Sequence, residues 1–344
     1  MFFFGDAMNQ TDIRIGLPSK GRLEIGALDF LKSCGLQVHK PNPRQYQATI
    51  PTVPDLNVIF QRPGDIVIGV RNGSLDFGIT GLDIVLEHMG DDDDVLILHD
   101  ELGFGRCNLQ VAVPDDWKDV ITIKDLAEKT KNMDNPLRVA TKYPVLTREF
   151  LSENSLSICE LISAEGTLEV APAIGYADII SDLVSSGQTL RDNRLQVLVD
   201  GTILVSEAVL IGNSKSLRSS KDVLMVARHI LELIEAYLRA EKYCIVVANM
   251  RYEDPEAVAE KMYSEINLGG LEGPTISRII TPGNTKNMCS VEVVVQKDQL
   301  VEVIHDLRSI GGSGVIVSPV NYVFEEEPER FTALLSQIKG MNND

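Results

Sequence analysis

No Cys-x-x-Cys pair, no His-x-x-x-His spacing and no apolar run of 18 residues occurs in this 344-residue chain. Each absence closes a class of function. The five cysteines (Cys34, Cys107, Cys159, Cys244, Cys289) are odd in number and scattered, which reads as reduced thiols of a cytosolic protein rather than a disulfide framework. The five histidines (His39, His88, His99, His229, His305) lack paired spacing, which argues against a zinc site. Without a long apolar run no helix spans a bilayer, and the opening MFFFG is too short and too poor in basic residues for a secretory signal. Positive charge is also scarce. Against 50 Asp and Glu stand 32 Lys and Arg, a net charge of −18, which argues against a nucleic-acid binder that works by neutralising phosphates. Any phosphate site must be local, built from backbone N–H groups, a few placed cations and a divalent metal.

What is present is an ordinary globular composition, 44% hydrophobic and 24% charged, long enough for two or three domains. IRIGLP (13 to 18) reads as a strand and GRLEIGALDFLKSCG as an amphipathic helix with a glycine stop. DFGIT is a further strand, with Asp83 expected to cap the helix that runs to Gly90. The four aspartates 91 to 94 read as a solvated loop. CNLQVAVP and LRVATKYP are strands of a second α/β unit, and LQVLVDGTILVSEAVLIGN returns as strands able to cross back to the first. The serine-rich 213 to 222 reads as a linker, followed by a helix with a wide apolar stripe. The last hundred residues give β-α-β-β-α-β, the ferredoxin-like order.

The stretch DIISDLVSSGQTL (178 to 190) carries the strongest local signal. Ile179 to Val184 reads as a covered strand with Asp178 and Asp182 on one side of it. The run Ser185-Ser186-Gly187-Gln188-Thr189, then a helix beginning near Leu190, offers hydroxyls and backbone N–H groups to a phosphate monoester. Asp182 is placed to accept hydrogen bonds from two sugar hydroxyls, so the pairing describes a ribose 5-phosphate. A Ser/Thr-capped turn beside a satisfied structural carboxylate is the competing reading.

EVAPAIGYADIISDLVSSGQTL (169 to 190) resembles the signature of the ATP phosphoribosyltransferases, with Glu169, Gly175, Asp182, Ser186, Gly187, Thr189 and Leu190 at its spacing. LPSKGRL (17 to 23), GSLDFGITGLD (73 to 83) and GTILVSEAVLIGN (201 to 213) are similar to the family's other blocks, and the tail resembles the regulatory domain of its long form. The resemblance implies two α/β lobes forming a bilobal cleft, like a type II periplasmic binding protein, plus a C-terminal ferredoxin-like domain. Lobe I would comprise 11–108 and 195–220, lobe II 109–194, a linker helix 221–242 and the histidine-binding domain 243–335.

The implied reaction joins N1 of ATP to C1 of phosphoribosyl pyrophosphate, releases pyrophosphate, needs Mg2+ held mainly through the substrate, and opens histidine biosynthesis. The implied site places phosphoribosyl pyrophosphate on Asp178, Asp182, Ser185, Ser186, Gly187, Gln188, Thr189 and Glu169. ATP falls to Lys20, Gly21, Arg22, Gly78, Thr80, Gly81 and Asp83, and Asp182, Lys20 and Arg22 are the catalytic candidates. Histidine, as allosteric inhibitor, would meet Glu253, Thr275, Val294 and Val315. AMP and ADP would compete with ATP, and the assembly would be a cytoplasmic homo-hexamer with neither nucleic acid nor membrane as partner. The alternative is a non-catalytic bilobal binding or regulatory relative.

Overall fold

The computed structural model describes residues 12–42, 44–90, 92–163, 166–185, 187–251, 254–266, 268–280 and 287–341. In chain order its elements are β1 Ile13–Pro18, α1 Gly21–Ser33, β2 Gln47–Thr49, β3 Leu56–Gln61, α2 Pro63–Arg71, β4 Phe77–Gly81, α3 Leu82–His88, β5 Val95–His99, β6 Cys107–Pro114, α4 Ile123–Thr130, β7 Leu137–Thr141, α5 Pro144–Glu153, β8 Cys159–Ser163, β9 Ile179–Val184, α6 Gln188–Asp192, β10 Leu195–Ser206, β11 Ala208–Asn213, α7 Ser214–Ser219, α8 Lys221–Ala240, β12 Tyr243–Met250, α9 Pro255–Glu265, β13 Thr275–Arg278, β14 Cys289–Gln296, α10 Leu300–Ser309, β15 Ser313–Pro319 and α11 Glu329–Met341. Two compact units emerge, one running up to His229 and resuming at Glu329, the other Ile230–Pro328.

The first unit holds two mixed sheets. One has the order β2-β3-β1-β4-β11-β5, with β1 parallel to β3 and β4, and β11 antiparallel to β4 and β5. Strand β4, FGITG, is buried at every residue, as a strand covered on both faces must be. Ile66, Val67, Val70, Leu75, Val85, Val209 and Ile211 form one core against it. The second sheet has the order β10-β6-β9-β7-β8, with β9 antiparallel to β6 and parallel to β7. One face packs Val111, Val113, Ile123, Leu126, Val139, Leu151 and Ile179. The other is lined by smaller residues, Ala112, Ala140, Ala171 and Ala177 beside Ile180, Leu168, Leu190 and Leu195. The small side chains let the 168–177 segment lie close to the sheet beside the end of β9.

The lobe boundaries differ from the expected ones at β10. Residues 195–206 belong to the second sheet, because Leu195–Val197 pair with Pro114–Ala112 and Thr202–Ser206 with Gln110–Cys107. The chain returns to the first sheet only at Ala208. Asp83 is not the cap of α3, which is capped at Gly81. Of the four aspartates, Asp92 pairs with Arg71 at 3.0 Å and Asp94 with Lys215 at 3.1 Å, and Asp91 lies outside the described residues.

His99, on β5, is 4% exposed, and its Nδ1 accepts the Glu101 N–H at 3.3 Å. Burial, followed by the charge of Arg330 on α11, pushes it down to about 4 despite the opposing charge of Asp100. A histidine kept neutral in the fold but ordinary in the unfolded chain makes the unfolded chain the better proton binder between 6.5 and about 4. The first unit should therefore lose stability as pH falls through that window and level off below it. In His99→Gln this acid limb should shrink, as urea midpoints taken across the window would register.

The second unit has the expected β12-α9-β13-β14-α10-β15 order, with strands arranged β13-β14-β12-β15. Cys244, Val246, Ala248, Val291, Val293 and Val295 face α9 and α10, whose Val258, Met262, Val303 and Leu307 complete this core. The unit boundary falls inside α8, whose C-terminal half is bound within the second unit: Val323 N–H donates to the Ala236 carbonyl at 3.0 Å, and Arg239 pairs with Glu325 at 3.4 Å. Helix α11, which the expected 243–335 domain cuts through, belongs to the first unit.

Candidate active site

Strand β9 spans Ile179–Val184, as its β-branched run predicts. Ile179, Ile180 and Ser181 are buried, Asp182 is half-buried, and the chain opens at Leu183. Asp182 pairs in register with Gln110 on β6 and Ser181 with Thr141 on β7. Asp182 thus stands where β9 adjoins an antiparallel strand on one side and a parallel strand on the other, at the carboxyl ends of β7 and β9, where α/β sheets bind ligands.

Among the described residues its carboxylate has one hydrogen-bond donor, the Leu183 N–H at 2.8 Å. Burial pushes its pKa up; the Leu183 N–H and the charge of Lys142 oppose this, and Glu169 adds to it. A half-buried carboxylate with one backbone donor has lone pairs left for a ligand's hydroxyls. The turn beyond holds Gly187 in the left-handed region at φ 69°, as the N-cap of α6. That helix begins at Gln188, two residues before the expected start, and is five residues long. The phosphate reading accordingly rests on the turn itself. A pocket of about 420 Å³ adjoins it, bordered by Ser185, Gly187, Arg191, Asn108, Gln110 and Gln196. Ser186 lies outside the described residues.

Asp178 is removed from this site. It precedes β9, four residues from Asp182, about 13 Å along an extended strand. Its carboxylate takes the Arg138 N–H at 2.8 Å and the guanidinium at 2.8 and 3.3 Å, and the same guanidinium donates to the Gly175 carbonyl at 2.9 Å. Burial pushes Asp178 up, but the bonds and charge of Arg138 outweigh it and hold the carboxyl below the ordinary range. Its role is to tie β9 to β7. Glu169 sits on a single 3-10 turn, Leu168–Val170, close enough for its charge to act on Asp182.

On the first sheet, β1 leads into α1 through Lys20, an extended N-cap whose side chain makes no capping bond. Gly21 has φ 77°, and a Cβ there would meet nothing within 4 Å. Lys20, Gly21 and Arg22 are exposed. The uncapped start of a 13-residue helix flanked by two cations suits phosphate.

Gly78, Thr80, Gly81 and Asp83, expected to line a nucleotide surface, are all buried. A side chain at Gly78 would collide with Ile66, and one at Gly81 with the Asp83 carboxylate. Asp83 instead joins the two sheets. Its Oδ2 accepts the Tyr143 hydroxyl at 2.7 Å and its Oδ1 the Ser206 hydroxyl at 2.6 Å, while Ser206 Oγ accepts the Asp83 N–H at 3.0 Å. One turn later Glu87 accepts the Val145 and Leu146 N–H groups at 2.9 and 3.1 Å, closing the first turn of α5. Burial, then the charge of Asp83, pushes the Tyr143 hydroxyl up, with Asp182 contributing, so Tyr143 stays a neutral donor to Asp83.

Lys142, Tyr143, Glu87 and Ser206 are absent from the sequence-predicted site. The signal for the first two was the Lys-Tyr-Pro that ends a predicted strand, at the strand end where ligands bind.

In the second unit Thr275 pairs with Glu292 and Val294 with Ile245, on the sheet face away from the core. Val315 packs against the core on the other face, so Val294 and Val315 do not form one wall. Glu253 lies outside the described residues.

Residues 62–236 match the family described as HisG: ATP phosphoribosyltransferase, and 240–322 match the HisG C-terminal domain. ATP phosphoribosyltransferase 2, chloroplastic, of Arabidopsis thaliana is 43% identical over 337 residues, 96% of this chain and 82% of that protein. The ATP phosphoribosyltransferase of Rhodopseudomonas palustris (strain HaA2) is 33% identical over 332 residues, 94% and 98% of the two chains. A chain of the ATP phosphoribosyl transferase (HisG:HisZ) complex from Thermotoga maritima shares the fold at a TM-score of 0.50 and 24% identity, covering 65% of this chain and 98% of that one.

Proposed function

Because this chain belongs to the ATP phosphoribosyltransferase family, whose reaction is the first step of histidine biosynthesis, we propose that Asp182 and the 185–189 turn bind phosphoribosyl pyrophosphate. The observation that carries this is Asp182 itself: a half-buried carboxylate at the end of β9 with one backbone donor, followed by a left-handed glycine turn. The carboxylate accepts the two ribose hydroxyls, and Ser185, Ser186, Gly187, Gln188 and Thr189 hold the 5-phosphate. N1 of ATP attacks C1 as the pyrophosphate oxygen leaves with the electron pair. The ring gains positive charge in between, which the negative charge of Asp182 and Glu169 favours. No protein nucleophile is needed, so the chain's contribution is positioning and charge. Lys20, Gly21 and Arg22 take the ATP phosphates, with Gly78, Thr80, Gly81 and Asp83 shaping the wall behind them.

Among the described residues no group of three or more His, Cys, Asp or Glu forms a metal cage. One or two carboxylates, such as Asp182 and Glu169, suit a magnesium that arrives with the diphosphate and is coordinated mainly by it. When bound, that ion offsets the charge of the leaving oxygens.

Histidine is read as the feedback inhibitor, bound in the second unit at the face that carries Thr275 and Val294, with Glu253 as its ammonium partner. The enzyme is read as a homo-hexamer, with AMP and ADP competing for the ATP pocket. Five free cysteines suit a reducing compartment such as the cytoplasm, and among the described residues no helix is long and apolar enough to cross a membrane.

Initial rates at varied ATP and varied phosphoribosyl pyrophosphate test this regulation. Histidine should lower the rate without competing with either substrate, AMP should compete with ATP alone, and sedimentation should give six copies. A rate indifferent to histidine would refute the effector reading.

A further inference from the structure

The turn after β7 carries a cation that the site described above does not use. Thr141, the last paired residue of β7, stands in register with Ser181 of β9. Both hydroxyls meet Thr147 of α5, whose Oγ1 lies 3.2 Å from Thr141 Oγ1 and 3.0 Å from Ser181 Oγ. Side chains alternate along a strand, so Asp182, next after Ser181 on β9, turns to the opposite face, and Lys142 directly follows the last paired residue of β7. The turn is pinned on both sides of the lysine: Tyr143 N–H donates to Thr141 Oγ1 at 2.9 Å and its hydroxyl to Asp83 at 2.7 Å. Lys142 is exposed, and among the described residues it has no ion pair. The ammonium is near enough to favour the charged form of Asp182 without bonding it.

The sheet order gives this cation a place on the donor. Ser185 and Gly187 line a pocket together with Asn108 and Gln110 of β6 and Gln196 and Val197 of β10. Lys142 lies on the other side of β9, with β7. In a ribose whose 2- and 3-hydroxyls rest on Asp182, C1 and the carbon bearing C5 flank those hydroxyls on opposite sides. With the 5-phosphate in the turn, the diphosphate on C1 extends toward β7. We propose that Lys142 binds the diphosphate of the ribosyl donor. This rests on the assignment of Asp182 to the ribose. As the C1–O bond breaks, its electron pair passes to the pyrophosphate oxygen, and Lys142 N–H groups stabilise that charge by hydrogen bonds without giving up a proton.

Calorimetric titration of the full chain with pyrophosphate in the presence of magnesium, and separately with ribose 5-phosphate, tests the assignment. Lys142→Gln should weaken pyrophosphate about tenfold, the size of one charge-assisted hydrogen bond, and leave ribose 5-phosphate unchanged. Lys142→Arg should keep most of the pyrophosphate affinity. Pyrophosphate binding indifferent to Lys142→Gln overturns the proposal, and so does an equal loss for ribose 5-phosphate, which would put the lysine on the other phosphate. Asp182→Asn separates the two levels: if it leaves ribose 5-phosphate affinity intact, the ribose assignment itself fails, whereas its loss beside an unaffected Lys142→Gln removes only the lysine.

Discussion

Asp182→Asn is expected to lower kcat/KM for phosphoribosyl pyrophosphate by about 10²- to 10³-fold, with the melting temperature unchanged or slightly raised. Two charge-assisted hydrogen bonds to the ribose become neutral ones, and the negative charge beneath the developing ribosyl cation is lost; at roughly 1.5–3 kcal/mol for bonds to a charged group, the loss falls in that range. The fold does not need the charge. Burial pushes the Asp182 carboxyl up, so the ionised group costs the folded state some stability at neutral pH, and its removal relieves that cost. The same shift sets the pH dependence. Donor binding requires the carboxylate, so kcat/KM should fall on acidification at a higher pH than an ordinary aspartate would impose, and this limb should vanish in Asp182→Asn. An unchanged kcat/KM in a folded variant would remove Asp182 from the ribose.

The second large effect is on stability. Asp83→Leu should destabilise the first unit by about 3 kcal/mol, because it leaves the buried hydroxyls of Tyr143 and Ser206 without their acceptor, each at about 1–3 kcal/mol. At about 2–4 °C per kcal/mol for a unit of this size, the melting temperature should fall by about 6–12 °C. Tyr143→Phe and Ser206→Ala remove a donor together with its need and should cost about 1 kcal/mol each. Asp83 and Tyr143 also join the first sheet to the turn that carries Lys142, so Tyr143→Phe should raise KM for the donor more than its small stability cost suggests. If Asp83→Leu melted with the wild type, the junction would contribute nothing to holding the two sheets together.

Much of this was legible because the local signal and the final structure coincide. Strand β9 has its predicted ends because a β-branched run between two turns allows little else, and the ferredoxin-like order of the second unit follows from strands and helices that each carry their own periodicity. The failures share a cause, partners remote in sequence. Asp178 and Asp182 look equivalent on one strand, but Arg138, 40 residues earlier, claims the first. Asp83 looks like a helix cap, yet its partners Tyr143 and Ser206 are 60 and 123 residues away. Strand β10 has register shifts against β6 at Val197/Thr202 and Thr202/Leu204, and no alternation pattern reveals which sheet a bulged strand will join. Lys142 carried no motif of its own. Its position matters only once β7 is seen beside β9.

Mass spectrometry of the purified chain incubated with ATP, phosphoribosyl pyrophosphate and magnesium tests the activity most directly. The expected products are the N1-phosphoribosyl adduct of ATP and pyrophosphate, suppressed when histidine is added and reduced about 10²-fold or more in Asp182→Asn. Folded protein that yields no adduct, or an Asp182→Asn variant that forms it at the wild-type rate, would contradict this expectation.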